Sequence, residues 1–247
     1  MRRKLRDNLR RVRDRMANAC IRAKRKPKEV TLVAVTKSVG VDVIRQLLEL
    51  DCCELGESRA QELSRRAAMI KEHLDRRSRE PSDPAPPQPN WHMVGHVQRN
   101  KVKPLLPWVR MFHALDSLRL AEDLDNQAGK LDLTVDALVQ INAADEPQKF
   151  GVAVGAVPHL IEQVVSLPNM RVCGLMAMAP LTEDTSRLDW VFERVQEIFT
   201  DLQDERFTGK EFRHLSMGMS NDFEIAIEHG ATMIRVGTAL FEGLAPG

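Results

Sequence analysis

A closed (β/α)8 barrel of parallel strands is the fold this sequence predicts, and three observations lead to it. The chain has 247 residues, long for an ordinary domain but normal for one such barrel, which typically takes about 250. Eight short apolar or β-rich runs alternate along it with helix-sized segments. Polar and small residues gather just after those runs, at the strand ends where parallel α/β folds bind ligands.

The first segment, MRRKLRDNLRRVRDRM, is locally basic and has the outward look of a transit peptide or an RNA-binding arm. Leu5, Leu9, Val12, Met16 and Ala19 nevertheless recur at helical spacing, with charges on the other faces. That periodicity favours an ordinary amphipathic helix ahead of the barrel. After Pro27 the pattern becomes strand, then helix. The runs are VTLVAVT (30–36), CCELG (52–56), WHMVG (91–95), MFHALD (111–116), DALVQI (136–141), VCGLMAMA (172–179), FRHLSM (212–217) and MIRVGTALF (233–241). Helical stretches between them include VDVIRQLLEL (41–50), SLRLAEDLDNQAGK (117–130) and RLDWVFERVQEIFTDLQ (187–203). Runs apolar on both faces and joined by helix-sized connections indicate a parallel sheet. Eight in alternation suggest closure, with an open doubly wound sheet as the competing arrangement. One stretch breaks the rhythm: RRSREPSDPAPPQPN (76–90) has five prolines and no apolar periodicity. It is expected to be a solvent-exposed, disordered loop on the face away from the ligand end. The barrel is expected to occupy 1–247 as a single domain, with no C-terminal β domain.

Composition narrows the function. An apolar fraction of 43% can fill a sizeable core, which argues against a disordered or fibrous chain. With 36 basic and 35 acidic residues, the net field does not advertise nucleic acid or membrane. No run approaches the ~20 apolar residues that span a bilayer, and none resembles a secretory signal. Cys20, Cys52, Cys53 and Cys173 form no C-x-x-C pair, and the adjacent two make a poor disulfide, so a reduced, cytoplasmic setting is expected.

The residues at the expected strand ends are Thr36–Ser38, Gly56–Ser58, Gly95–His96, Asp116, Gln140 with Asn142, Met178, Ser216–Ser220 and Arg235–Thr238. Coming from different strands, they can converge in space. Lys37 closes a nearly continuous apolar strand. A desolvated amine there would be a better nucleophile towards an aldehyde; the alternative is a lysine that snorkels to the rim. At the last strand end, Gly237 lets the backbone approach an anion. Its N–H, the Thr238 N–H and the Thr238 hydroxyl can all donate, where this fold usually holds phosphate. Ser216 and Ser220 are further candidate hydroxyl donors, and Ser220 is equally a candidate N-cap for the helix that follows. His92 and His96 have H-x-x-x-H spacing but lie on a strand without a neighbouring Glu, so no metal is assigned. Met176, Met178, Met217 and Met219 are expected in the core or a pocket wall, and the vicinal cysteines in the second strand. The G-x-G in SMGMS is too short for a dinucleotide fingerprint.

The segments VTLVAVTKS, LGESRAQE, WHMVGHVQRNKV, FHALDS, VQINAADEPQKFG, GLMAMAP and LSMGMSNDFEIAIEHGATMIRVGTALFEG occur in that order along nearly the whole chain. Together they are specific, and the chain resembles the pyridoxal phosphate homeostasis protein family, which shares the TIM barrel of the alanine racemase N-terminal domain. The resemblance implies that pyridoxal 5′-phosphate is held as a Schiff base on Lys37. It places Ser220, Gly237 and Thr238 around the phosphate and Arg235 beside the pyridine nitrogen. It implies a carrier that buffers or delivers the cofactor in vitamin B6 homeostasis, with no turnover residue of its own. PLP-dependent apo-enzymes are the expected recipients, and the carrier is expected to be monomeric. One departure matters: Ser58 stands where the family usually has Asn, which puts a ring-side contact at that position in doubt. The competing reading is a PLP enzyme of the same barrel type, an amino-acid racemase or a decarboxylase. A racemase needs a second base, in alanine racemase a tyrosine from a C-terminal β domain, and this sequence contains no tyrosine.

Overall fold

The computed structural model describes residues 1–79, 86–144, 150–205 and 207–244. Eight parallel strands close on themselves: β1 (Thr31–Val35), β2 (Glu54–Glu57), β3 (Asn90–Met93), β4 (Val109–Leu115), β5 (Val135–Asn142), β7 (Met170–Ala177), β8 (His214–Ser216) and β9 (Met233–Val236). The order runs β4-β3-β2-β1-β9-β8-β7-β5, and β5 pairs again with β4. That last pairing removes both edges and decides the barrel over the open sheet. A two-residue strand, β6 (Val152–Ala153), adds to the carboxyl end of β5.

Each predicted run overlaps one barrel strand, although β2, β3, β4, β5 and β7 extend beyond their runs at one end or both. Cys52 and Cys53 precede β2 rather than filling it. Burial pushes the Cys52 thiol up to about 12, so it behaves as a small apolar group. All four cysteines are free. The last run stops as a strand at Val236 and turns into the short helix α9 (Thr238–Phe241).

The outer helices bury one stripe each. In α3 (Ala60–Arg77) the apolar positions Leu63, Ala67, Ile70 and Leu74 lie four, three and four residues apart and are all buried. Fully burying each leucine or isoleucine there contributes about 1.5–3 kcal/mol. In α2 (Val41–Leu48) the same work falls to Val43, Ile44, Leu47 and Leu48. A small separate cluster of Met111, Ala114, Leu138, Cys173, Met176 and Met233, all on strands, sits apart from this strand–helix core and fills the barrel.

The basic N-terminal segment is the helix α1 (Arg2–Arg22), and the five residues expected on its apolar face are buried. It packs against α8 (Phe223–Glu228) and α9. Three of its arginines pair with distant glutamates: Arg15 forms a two-pronged pair with Glu224, Arg22 reaches Glu228 and Arg11 reaches Glu242. Asn8 donates to the Leu240 and Glu242 carbonyls and ties the helix to the chain's other end. Among the described residues, no helix is long and apolar enough to cross a membrane. The centre of the proline-rich segment, 80–85, lies outside the described residues. On either side of it α3 ends at Arg77 and β3 begins at Asn90, at the amino-terminal rim of the barrel.

Candidate functional site

A cavity of about 490 Å³ opens at the carboxyl ends of the strands, a volume ordinary for a small-molecule site. Lys37, Ser58, Ser220, Arg235, Gly237 and Thr238 all line it, as do Gly95, His96, Gln140 and Met178. These residues therefore converge although they come from seven strand ends, whereas Asp116, Asn142 and Ser216 do not line the cavity.

Lys37 lies in the turn after β1, and its backbone is held from two sides. Thr36 donates its N–H and its hydroxyl to the Gly56 carbonyl at 2.8 and 3.2 Å. The Thr36 carbonyl accepts from Arg66 Nη1 at 2.6 Å. Arg66 in turn pairs with the wholly buried Glu57 at 2.8 Å, and Glu57 Oε1 accepts the Ser58 and Arg59 N–H groups. The Glu57–Arg66 pair is thus a buried brace under the loops after β1 and β2. The Lys37 side chain itself is exposed. The dry wall expected around it ends at Val35, so the desolvation argued from sequence is not a property of the open cavity.

At the far wall, the turn after β8 depends on Gly218. Its φ is +91°, and a Cβ there would stand 2.6 Å from Ala226 Cβ and 2.8 Å from Phe223 Cα. Glycine alone tolerates both the backbone and the close packing of α8. Ser220 follows, and its Oγ accepts the Ala239 N–H at 3.2 Å. The expected capping role is corrected: Ser220 steadies the start of α9, while Asp222 is the N-cap residue of α8. With one lone pair used, the Ser220 hydroxyl proton remains for a ligand. The Gly237 and Thr238 N–H groups have no protein acceptor among the described residues.

Ser216 is not a second donor at this wall. It is completely buried inside the barrel, accepting from Arg235 Nη1 at 2.7 Å, with its Oγ 3.0 Å from His113 Nδ1. Arg235 also donates to the Ala177 carbonyl at 2.9 Å, so its guanidinium is aimed by two acceptors. Burial pulls it down to about 10, opposed by Asp222, and it is cationic at neutral pH.

Around the mouth, His96 Nδ1 bonds Asp116 at 2.8 Å and its ring stacks on Phe150 with centroids 5.0 Å apart. Gln140 donates to the Phe150 carbonyl. Met176 and Met178 form wall, Met219 lines the rim, and Met217 is core. His92 and His96 part company: His92 is buried in the barrel and bonds Glu54 Oε2 at 2.7 Å, a carboxylate brought from the neighbouring strand. Among the described residues no group of three or more His, Cys, Asp or Glu could hold a metal ion.

Sequence reasoning missed Arg66 and His113. Arg66 had a readable sign, because it interrupts the apolar stripe three residues after Leu63. His113 had none, since its partners come from β3 and β8.

The barrel and a cavity built at its strand ends define a chain of the alanine racemase N-terminal domain type, and the family model of that description matches residues 2–245. The chain belongs, more narrowly, to the pyridoxal phosphate homeostasis proteins. It is 36% identical over 235 residues to the protein of that name from Aquifex aeolicus, covering 95% of this chain and 96% of the relative. The Escherichia coli (strain K12) protein of that name is 32% identical, covering 95% and 94%. In three dimensions it is similar to PipY of Synechococcus elongatus with PLP bound, at 29% identity and a TM-score of 0.77, covering 93% of this chain and 99% of PipY.

Proposed function

We propose that this chain binds pyridoxal 5′-phosphate reversibly and buffers or delivers it, with Lys37 Nζ as the point of covalent attachment. The observation that carries the reading is the meeting of an exposed lysine amine, unpaired backbone N–H groups and a buried cation around one cavity. The donor set fits the group. A Cβ at position 237 would come within 3.1 Å of the Val35 carbonyl oxygen, whereas glycine leaves its N–H open beside that of Thr238. Those two N–H groups with the Ser220 and Thr238 hydroxyls would hold a phosphate, and Val35, Val94 and Met176 would flank the ring. When bound, the cofactor supplies an aldehyde that condenses reversibly with amines. The brace of Glu57 and Arg66 holds the Lys37 backbone in place for it. Ser58 offers a shorter reach to the ring than the family's asparagine. Recipients are PLP-dependent apo-enzymes, and the carrier works as a monomer, which sedimentation of the loaded protein checks.

Arg235 explains why the bound group stays unreactive. An arginine can only donate, so it disfavours a proton on the ring nitrogen and weakens the electron withdrawal that labilises a substrate α-proton. Arg235→Glu is expected to keep covalent attachment at Lys37 yet speed exchange of an added amino acid's α-proton with solvent about tenfold or more. Proton NMR in deuterated buffer reads that rate; an unchanged rate with attachment retained refutes the contact.

A further expected result concerns the 76–90 segment. Replacing it with a tight turn should leave cofactor affinity within about twofold, because it joins elements at the opposite rim. A loss of tenfold or more in a fluorescence titration would place the segment over the cavity.

A further inference from the structure

Five polar side chains form one hydrogen-bonded line through the barrel. Glu54 opens β2 at the amino-terminal mouth, where its side chain is 33% exposed. Its Oε2 lies 2.7 Å from His92 Nε2, His92 Nδ1 lies 2.8 Å from His113 Nε2, and His113 Nδ1 lies 3.0 Å from Ser216 Oγ. Ser216 accepts from Arg235, which reaches the cavity on the opposite face.

Both ends favour the same direction on this line. Arg235 can only donate, so Ser216 accepts from it, and in this direction the Ser216 proton finds its acceptor at His113 Nδ1. A Glu54 carboxylate can only accept, so His92 carries its N–H at Nε2 and accepts at Nδ1 from His113 Nε2–H. The two requirements meet between the histidines without conflict: His113 donates from Nε2 and His92 accepts at Nδ1. Burial, reinforced by His92 and Arg235, holds His113 well below the usual histidine value. At Glu54 burial acts upward but is outweighed by the bonds from His92 and Asn90, which keep it ionised. Protonating His92 at Nδ1 would reverse the line, forcing His113 to donate to Ser216 and leaving the serine proton without its acceptor.

We propose that Glu54, at the far mouth of the barrel, fixes the donor arrangement at Arg235 through His92, His113 and Ser216. These four are positioning residues for the cavity floor. The inference rests on the reading of Arg235 as the group facing the cofactor ring, and its test separates the two.

In the cofactor-free protein, long-range proton–nitrogen NMR of the imidazoles should show His92 and His113 each with its N–H at Nε2. In Glu54→Gln the amide can donate as well as accept, so His113 should populate the Nδ1–H form measurably. Finding His113 with N–H at Nδ1 in the native protein, or unmoved in Glu54→Gln, overturns the proposal. In the loaded protein, Ser216→Ala leaves a buried guanidinium N–H without its acceptor and should weaken cofactor affinity about tenfold. Ser216→Thr should recover it to within about threefold, and Glu54→Gln should weaken it about threefold. Both Ser216→Ala and Glu54→Gln should shift the absorption band of the bound cofactor. Glu54 is partly exposed, so its variant folds independently of any defect at Ser216. Native-like affinity and absorbance in both variants also overturn the proposal. Absence of covalent attachment in the native protein refutes the site reading instead, and the NMR result then stands or falls alone.

Discussion

Borohydride reduction of the protein with pyridoxal phosphate should leave the label on Lys37, and Lys37→Ala should lose that label. The lysine stands at the end of β1 among the cavity's lining residues, while the other proposed anion donors come from β8 and β9. Removing the amine removes the covalent term but leaves Ser220, Gly237 and Thr238 in place. Affinity should therefore fall about a hundredfold without vanishing, the equivalent of roughly 3 kcal/mol. Peptide mapping of the reduced adduct and a fluorescence titration read the two halves of the expectation. Recovery of the label chiefly on another lysine would remove the centre of the proposed function. Racemisation of a free amino acid at about one turnover per second or faster would favour the enzyme reading instead.

Arg66→Leu should produce the largest loss of stability of any single change around the site. Glu57 is wholly buried, and Arg66 is its ion-pair partner at 2.8 Å. Breaking a buried pair by removing one member strands the other charge, at a cost of about 3 kcal/mol or more. For a chain of this size that is a fall in Tm of about 6–12 °C. Replacing both residues with apolar ones, Glu57→Leu with Arg66→Leu, should recover much of that stability, since no charge is then left unpaired. It should not recover the Lys37 loop, because the Thr36 carbonyl has lost its bond from Arg66 and keeps only that from the Val39 N–H. Calorimetry should thus improve in the double variant while cofactor affinity stays several-fold weak. Full recovery of both would show that the pair stabilises the barrel without organising the site.

Much of the site was legible because a parallel barrel places its ligand end by rule. Once VTLVAV was a strand, Lys37 had to stand at its carboxyl end, and the same logic placed Arg235, Gly237 and Thr238. Ser216 and Ser220 show where that logic stops. Ser216 ends β8 and Ser220 lies four residues beyond it, yet one faces the barrel interior and the other the cavity, because the left-handed backbone at Gly218 turns the chain between them. Lys37 is exposed, because an apolar run describes the strand's two faces and not the solvent around a side chain beyond its end.

The sequence by itself determined the alternation of strands and helices, the buried face of the first helix and the set of strand ends that carry polar groups. These are local properties, written in periodicity and in which residues adjoin an apolar run. Tertiary structure alone decided that the sheet closes, through β4 against β5, and that three arginines of α1 pair with Glu224, Glu228 and Glu242. It also decided that Glu54, His92, His113 and Ser216 form one line to Arg235. Those pairings join residues up to 231 positions apart, and no local pattern can encode which distant partner satisfies a buried or charged group.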